Sequence, residues 1–225
     1  MQRVTQFIIY CMLGMTVHSH AADLDVKIPK QQFDLNNMSK ISEGAAFFKE
    51  RCFTCHSMKY LEYDQISIDA GIKPELAVVW PEDSWQGNPP PDLSLVAVTR
   101  GTDWLYGYLK GYYYEKEGYN NLIWPNTSMP NPYADLQGKQ KLVMTMPQIK
   151  TFHPRFYQAL KLEEAGSISA HDFNKKIDAL MHYLVYASDP SVVERHALGP
   201  MVIIFMLTLA IFAYLLYRDY KRDFD

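Results

Sequence analysis

The 225 residues carry 22 Lys and Arg against 25 Asp and Glu, a formal net charge of −3. The chain therefore lacks the basic surplus of a phosphate-binding surface, and no nucleic-acid partner is expected. Its length suits one packed domain with segments to spare, and its 3 cysteines exclude a disulfide framework, because Cys11 lies in an N-terminal apolar run and only Cys52 and Cys55 stand in the body of the chain.

Taken in chain order, residues 1–21 read as a secretory signal peptide: a basic Arg3, an apolar core from Phe7 to Val17, and a small-residue end at Ser19 and Ala21, with cleavage expected after Ala21. The apolar run is short for a bilayer span. An uncleaved N-terminal anchor is the alternative, and a lipoprotein site at Cys11 is disfavoured by bulky Tyr10 beside it. Residues 22–196 are then the exported domain.

Ser42 to Phe48, with Ala45, Phe47 and Phe48, has the spacing of an amphipathic helix. It leads into Cys52-Phe53-Thr54-Cys55-His56, the C-x-x-C-H pattern of covalent haem c attachment. Two thiols one helical turn apart can each add to one vinyl group of a porphyrin, and the adjacent imidazole is held beneath the iron as an axial ligand. A zinc site would need two further Cys or His ligands at short fixed spacing. A redox dithiol of the thioredoxin type would want alternating strands and helices, and β-branched strand runs are missing from the body of the chain.

The second axial position decides what such a haem does, because a vacancy permits ligand binding whereas methionine favours electron transfer at raised potential. Met58 is too near His56 to reach the opposite ring face, and Met181 sits in an apolar helical stripe. Met129, in the irregular Pro125-Asn126-Thr127-Ser128-Met129-Pro130 loop, is the leading candidate. Met144 and Met146, in Met-Thr-Met-Pro, rival it on the same argument, and spacing alone leaves the choice open.

Phe173, Ile177, Leu180, Met181, Leu184 and Val185 recur at helical spacing behind a capping pair, Ser169 and Asp172, and this helix is expected to end near Ala187, Asp189 and Pro190 and to pack on the haem-motif helix. His171 and His182 read as surface or packing histidines. Residues 197–217 form an almost unbroken apolar stretch of about the 20 residues a transmembrane helix requires. Arg218, Lys221 and Arg222 follow, which places the tail, residues 218–225, in the cytoplasm and the haem domain outside, with Tyr214 and Tyr217 at the interface.

Several separated segments resemble one family. The Cys-Phe-Thr-Cys-His-Ser-Met-Lys-Tyr block, Pro90-Pro91-Asp92-Leu93-Ser94, Arg100 followed by Asp103-Trp104-Leu105, the Pro-Asn-x-x-Met-Pro loop, Tyr186-Ala187-Ser188-Asp189-Pro190 and the single anchor are similar to cytochrome c1, the haem subunit of the bacterial ubiquinol–cytochrome c reductase (bc1) complex. The resemblance implies a mainly α cytochrome c-type haem domain with long loops, followed by a single C-terminal transmembrane helix. It implies one haem c bound through Cys52 and Cys55, His56 and Met129 as iron ligands, and Arg100 as the partner of a haem propionate. It implies that a proline carbonyl in the run Pro89 to Pro91 orients His56.

The same resemblance implies a non-catalytic electron relay in the inner membrane, from the Rieske iron–sulfur subunit to a soluble or membrane-bound cytochrome c, beside cytochrome b and the lipid bilayer. Trp104 departs from a pattern in which some members place a propionate-binding tyrosine. The divergent stretch 61–87 carries Glu82 and Asp83, which read as a solvated loop or as a docking lip for a basic partner. The other hypotheses are an independent tethered carrier or oxidase haem subunit, and a haem-based ligand sensor with an open iron site.

Overall fold

The computed structural model describes residues 26–116 and 118–224. The signal-peptide segment, residues 1–21, lies outside them. In chain order the elements are α1 (Met38–Arg51), α2 (Gln65–Asp69), a 3-10 turn (Pro74–Leu76), α3 (Ser84–Gly87), α4 (Val96–Arg100), α5 (Thr102–Lys110), β1 (Tyr112–Glu115), β2 (Gly118–Asn121), α6 (Ala134–Gln137), β3 (Gly138–Leu142), α7 (Met146–Phe152), α8 (Phe156–Ala159), β4 (Leu160–Ala165), α9 (Ala170–Ser188) and α10 (Val192–Phe224). The fold is mainly helical, with long connections between short elements.

The expected amphipathic helix before the haem motif is present and begins earlier. Asn37 caps α1 by accepting from the Lys40 N–H, so the helix gains a turn ahead of Ser42. Ile41, Ala45 and Phe48 lie buried on one face at the three- and four-residue spacing of a helix. That face meets α9, whose Ser169 cap accepts from the Asp172 N–H at 3.1 Å as the sequence leads one to expect. The two helices touch backbone to side chain at Gly44: a Cβ there would land on the Ala179 carbonyl and 2.8 Å from the Tyr183 Cβ. Lys40 and Asp178 pair across the rim of the contact.

Buried apolar side chains from α1, α5 and α9, among them Phe48, Leu105, Leu109, Leu180 and Met181, form the main core together with Met58, Tyr112 and Tyr133. A second, smaller cluster gathers Val26, Tyr113, Leu122, Ile149, Phe156, Ala159 and Leu160. Two antiparallel ribbons, β1 with β2 and β3 with β4, brace the long loops. Neither is expected from the sequence, since the strands run only 4 to 6 residues and are built from Tyr, Asn, Lys and Glu rather than from β-branched runs. The β3–β4 pair is also non-local, joined by α7 and α8, and carries a register shift between Lys139 and Gln140.

The C-terminal helix is longer than the apolar stretch that announces it. Glu194–Arg222 is one continuous candidate span with a mean hydropathy of 2.3 in its most apolar window and none of that window buried against the domain. The polar residues on both flanks, including Arg195, Arg218 and Lys221, favour helix well enough to continue it beyond the apolar core. Pro200 sits inside the helix and is tolerated there.

Candidate haem site

Helix α1 ends where the attachment motif begins. The Cys52 N–H still reaches the Phe48 carbonyl at 2.8 Å, and the Cys52 carbonyl then accepts from both Cys55 N–H, at 3.0 Å, and His56 N–H, at 2.9 Å. This tight turn presents both thiols and the imidazole from one short piece of backbone. Cys52 is buried and Cys55 half-buried, and both thiols are free. Burial, with the Cys55 thiol adding to it, pushes the Cys52 thiol up to about 12, so the sulfur is held neutral in the apolar core.

His56 is only 6% exposed. Its Nδ1 lies 2.8 Å from the Pro91 carbonyl oxygen. A carbonyl only accepts, so Nδ1–H donates and Nε2 keeps its lone pair for a metal. Burial lowers the imidazole's proton affinity against the opposing pull of the Pro91 bond and the Asp92 charge, and a neutral ring is the form that ligates iron. Among the three prolines of the run, Pro91 is the one whose carbonyl meets this ring.

Asp92 secures that arrangement. Its carboxylate accepts from the Ser57 hydroxyl at 2.7 Å, the Lys59 N–H at 2.8 Å and the Ser94 N–H at 3.0 Å, while Leu93 N–H bonds the Ser57 carbonyl at 3.0 Å. Burial would raise its pKa, but the bonds from Ser94, Ser57 and Lys59 outweigh it and hold the carboxyl below its ordinary value. The Pro-Pro-Asp-Leu-Ser segment is thus stitched to residues 57–60, which follow directly on the ring it orients. From the divergent stretch 61–87, Trp80 Nε1–H donates to the Cys55 carbonyl at 2.9 Å. Glu82 and Asp83 are exposed.

A tier of aromatic rings connects the motif to the methionine loop. Tyr112 and Tyr133 share the main core with Cys52, and burial pushes both phenols above their ordinary range. Tyr112 packs edge-on to both Tyr133 and Tyr108, and Tyr108 stacks on Trp104 with centroids 5.0 Å apart. The Tyr112 hydroxyl reaches the Met129 carbonyl at 3.5 Å, and Tyr108 shares a 2.8 Å bond with Thr127. Met129 is half-buried at the end of this tier. Arg100 is exposed, its guanidinium 5.2 Å from the Trp104 ring and 4.9 Å from the Trp124 ring. Trp104 thus has both the Arg100 cation and the Tyr108 phenol ring packed against it.

The other methionines and histidines have different surroundings. Met144 and Met146 pack against the second cluster, which contains no residue of the attachment motif. Met58 and Met181 are fully buried in the main core. His182 Nδ1–H donates to the Asp178 carbonyl one turn earlier at 2.7 Å, and the ring meets the edge of Phe33; His171 is exposed. The donor set suits a haem: two free thiols on one turn, a neutral imidazole with one nitrogen spare, and apolar and aromatic walls. Sequence reasoning missed Asp92 and Trp80 as parts of this assembly. The signal for Asp92 was its place in a quoted motif, and for Trp80 only the presence of a large indole in a loop.

The family profile described as "Cytochrome C1 family" matches residues 81–224. The chain belongs to the cytochrome c1 family. The matched stretch begins after His56, so the attachment motif and the family match are separate observations. The chain is 33% identical over 213 residues to cytochrome c1 of Allochromatium vinosum, covering 84% of this chain and 86% of that protein. It is 25% identical over 243 residues to cytochrome c1 of Rhodospirillum rubrum, covering 84% and 85%. It is 29% identical over 242 residues to the ammonia monooxygenase gamma subunit of Nitrosomonas europaea, covering 98% and 99%. Family membership implies haem c, and the Cys52, Cys55 and His56 spacing provides for it.

Proposed function

We propose that this cytochrome c1 family member is the electron-transfer haem c subunit of a ubiquinol–cytochrome c reductase, anchored by α10 with its haem domain on the periplasmic side. It receives electrons from a Rieske iron–sulfur subunit beside cytochrome b and passes them to a cytochrome c. The observation that carries the reading is the His56 bond to Pro91, which leaves Nε2 as the ligand atom on the same turn as two free thiols. Haem c, when bound, supplies one-electron iron chemistry at a potential set by its axial ligands and surroundings.

The chain's own residues do the rest. Cys52 and Cys55 hold the ring, Pro91 and Asp92 orient His56, and the aromatic tier excludes water. Met129 is the sixth ligand in this reading, supported by the contact of its carbonyl with Tyr112 in the core that contains Cys52. Arg100, beside the methionine loop through Trp124, pairs with a propionate, since a guanidinium binds a carboxylate through two parallel bonds. Purification in mild detergent with a quinol-oxidation assay tests the proposal: cytochrome b and a Rieske protein should co-purify, and recovery without them refutes the assignment to that complex.

A second reading has its own support. The relative named as an ammonia monooxygenase gamma subunit is co-extensive with this chain, which favours a tethered monohaem carrier serving a membrane monooxygenase. The same purification separates the two, because the partner recovered would be a monooxygenase subunit.

A further inference from the structure

We infer that Trp80 is a positioning residue for the haem-bearing turn, holding the Cys55–His56 peptide by its carbonyl while Asp92 holds the residues that follow. The inference rests on haem attachment at Cys52 and Cys55. Carbonyls of the turn that follows α1, which ends at Arg51, have no helical donors, and those shielded from water need substitutes. If the helical path continued, the Cys55 carbonyl would accept from Lys59 N–H, four residues on. That N–H is committed instead to the Asp92 carboxylate at 2.8 Å. The Trp80 indole supplies the missing donor at 2.9 Å.

The loop is shaped to present it. Trp85 closes on Trp80 edge to face, with centroids 5.7 Å apart and planes at 84°. Trp85 does so with a φ of +54°, a left-handed conformation uncommon for a bulky residue and costly to hold. The gain that offsets this cost is the indole contact. The bonded carbonyl belongs to the peptide that joins one thioether cysteine to the axial histidine. The indole N–H sets the positive end of its dipole against the carbonyl of that peptide, and positive charge density beside a ligand-bearing peptide favours the reduced state.

The test is redox titration of the full-length, haem-loaded protein in detergent. In Trp80→Phe, which keeps an aromatic ring and removes the donor, the reduced-to-oxidised ratio read at the wild-type midpoint should fall roughly three-fold, since only part of one hydrogen bond's contribution differs between the two oxidation states. Trp85→Phe should move it the same way by less. An unchanged ratio in Trp80→Phe overturns the inference. Should that variant fail to accumulate, hydrogen exchange of the four indole N–H groups in 15N-tryptophan-labelled wild-type protein decides, with Trp85→Phe, Trp104→Phe and Trp124→Phe assigning Trp80 by elimination. Slow exchange at Trp80 supports the role, and exchange as fast as a free indole overturns it. Absence of covalent haem in the pyridine haemochrome spectrum would instead refute the attachment reading beneath it.

Discussion

Removing the Asp92 carboxylate tests whether the Pro-Pro-Asp-Leu-Ser segment is held to the haem turn by side-chain chemistry. Asp92→Ala deprives three donors of their acceptor: the Ser57 hydroxyl and the Lys59 and Ser94 N–H groups. Bonds to a charged acceptor contribute about 1.5–3 kcal/mol each when buried, and water recovers part of that at this half-buried position, so a loss of about 3 kcal/mol is expected. Asp92→Asn keeps one oxygen but turns an amide NH2 towards a donor, for a loss of about 1.5 kcal/mol. Denaturant midpoints of the haem-loaded protein in detergent measure both. The pH dependence has a fixed sign. The folded carboxyl titrates below its ordinary value of 3.8, so its contribution is fully present above that pH and is lost as the pH falls through the folded value. The gap between wild type and Asp92→Asn should hold steady at neutral pH and narrow below 3.8. An Asn variant as stable as wild type at pH 7, or a gap that does not narrow in acid, refutes the clamp.

Gly44→Ala would drive a methyl group into the Ala179 backbone and Tyr183; the α1–α9 contact should loosen at a cost of about 3 kcal/mol, seen as a lowered thermal midpoint. Met129→Leu should lower the reduction potential and let carbon monoxide bind the reduced protein, while Met146→Leu should do neither because that side chain packs in the second cluster; equal behaviour of the two variants would exclude Met129 as a ligand. Ending the chain after Ser191 removes α10, whose apolar window is not buried against the domain, and should release a haem-bearing protein to the aqueous fraction with an unchanged visible spectrum.

How far the sequence carried the structure depended on whether the cause of a feature was local. Helix α9 was legible end to end because Ser169, Asp172 and the apolar stripe act within a turn or two of one another. The start of α1 was read one turn late: Ile41 already belongs to the buried stripe with Ala45 and Phe48, and the Asn37 cap ahead of it marks where the helix begins. Both ribbons escaped notice, since their strands pair through backbone bonds that Tyr, Lys and Asn side chains do not advertise. The C-x-x-C-H spacing was visible in five residues, whereas the supports of that turn were not: Pro91, Asp92 and Trp80 lie 35, 33 and 25 positions from the groups they bond, His56 Nδ1, Lys59 N–H and the Cys55 carbonyl. A single sequence shows each of them as an isolated proline, carboxylate or indole.

Those distant supports share one physical origin. Helix α1 ends at Arg51 and the chain turns sharply through Cys52 to His56, which leaves backbone groups without helical partners. The Cys52 carbonyl takes two donors, Asp92 takes the Lys59 N–H, and Trp80 serves the Cys55 carbonyl. Each substitute comes from a different stretch of chain, so the turn cannot shift without breaking bonds on several sides. An iron that changes valence without changing shape needs ligands held in that way. The bonds that close the turn therefore also fix His56, and on the proposed reading a substitution that relaxed the turn would be felt at the iron.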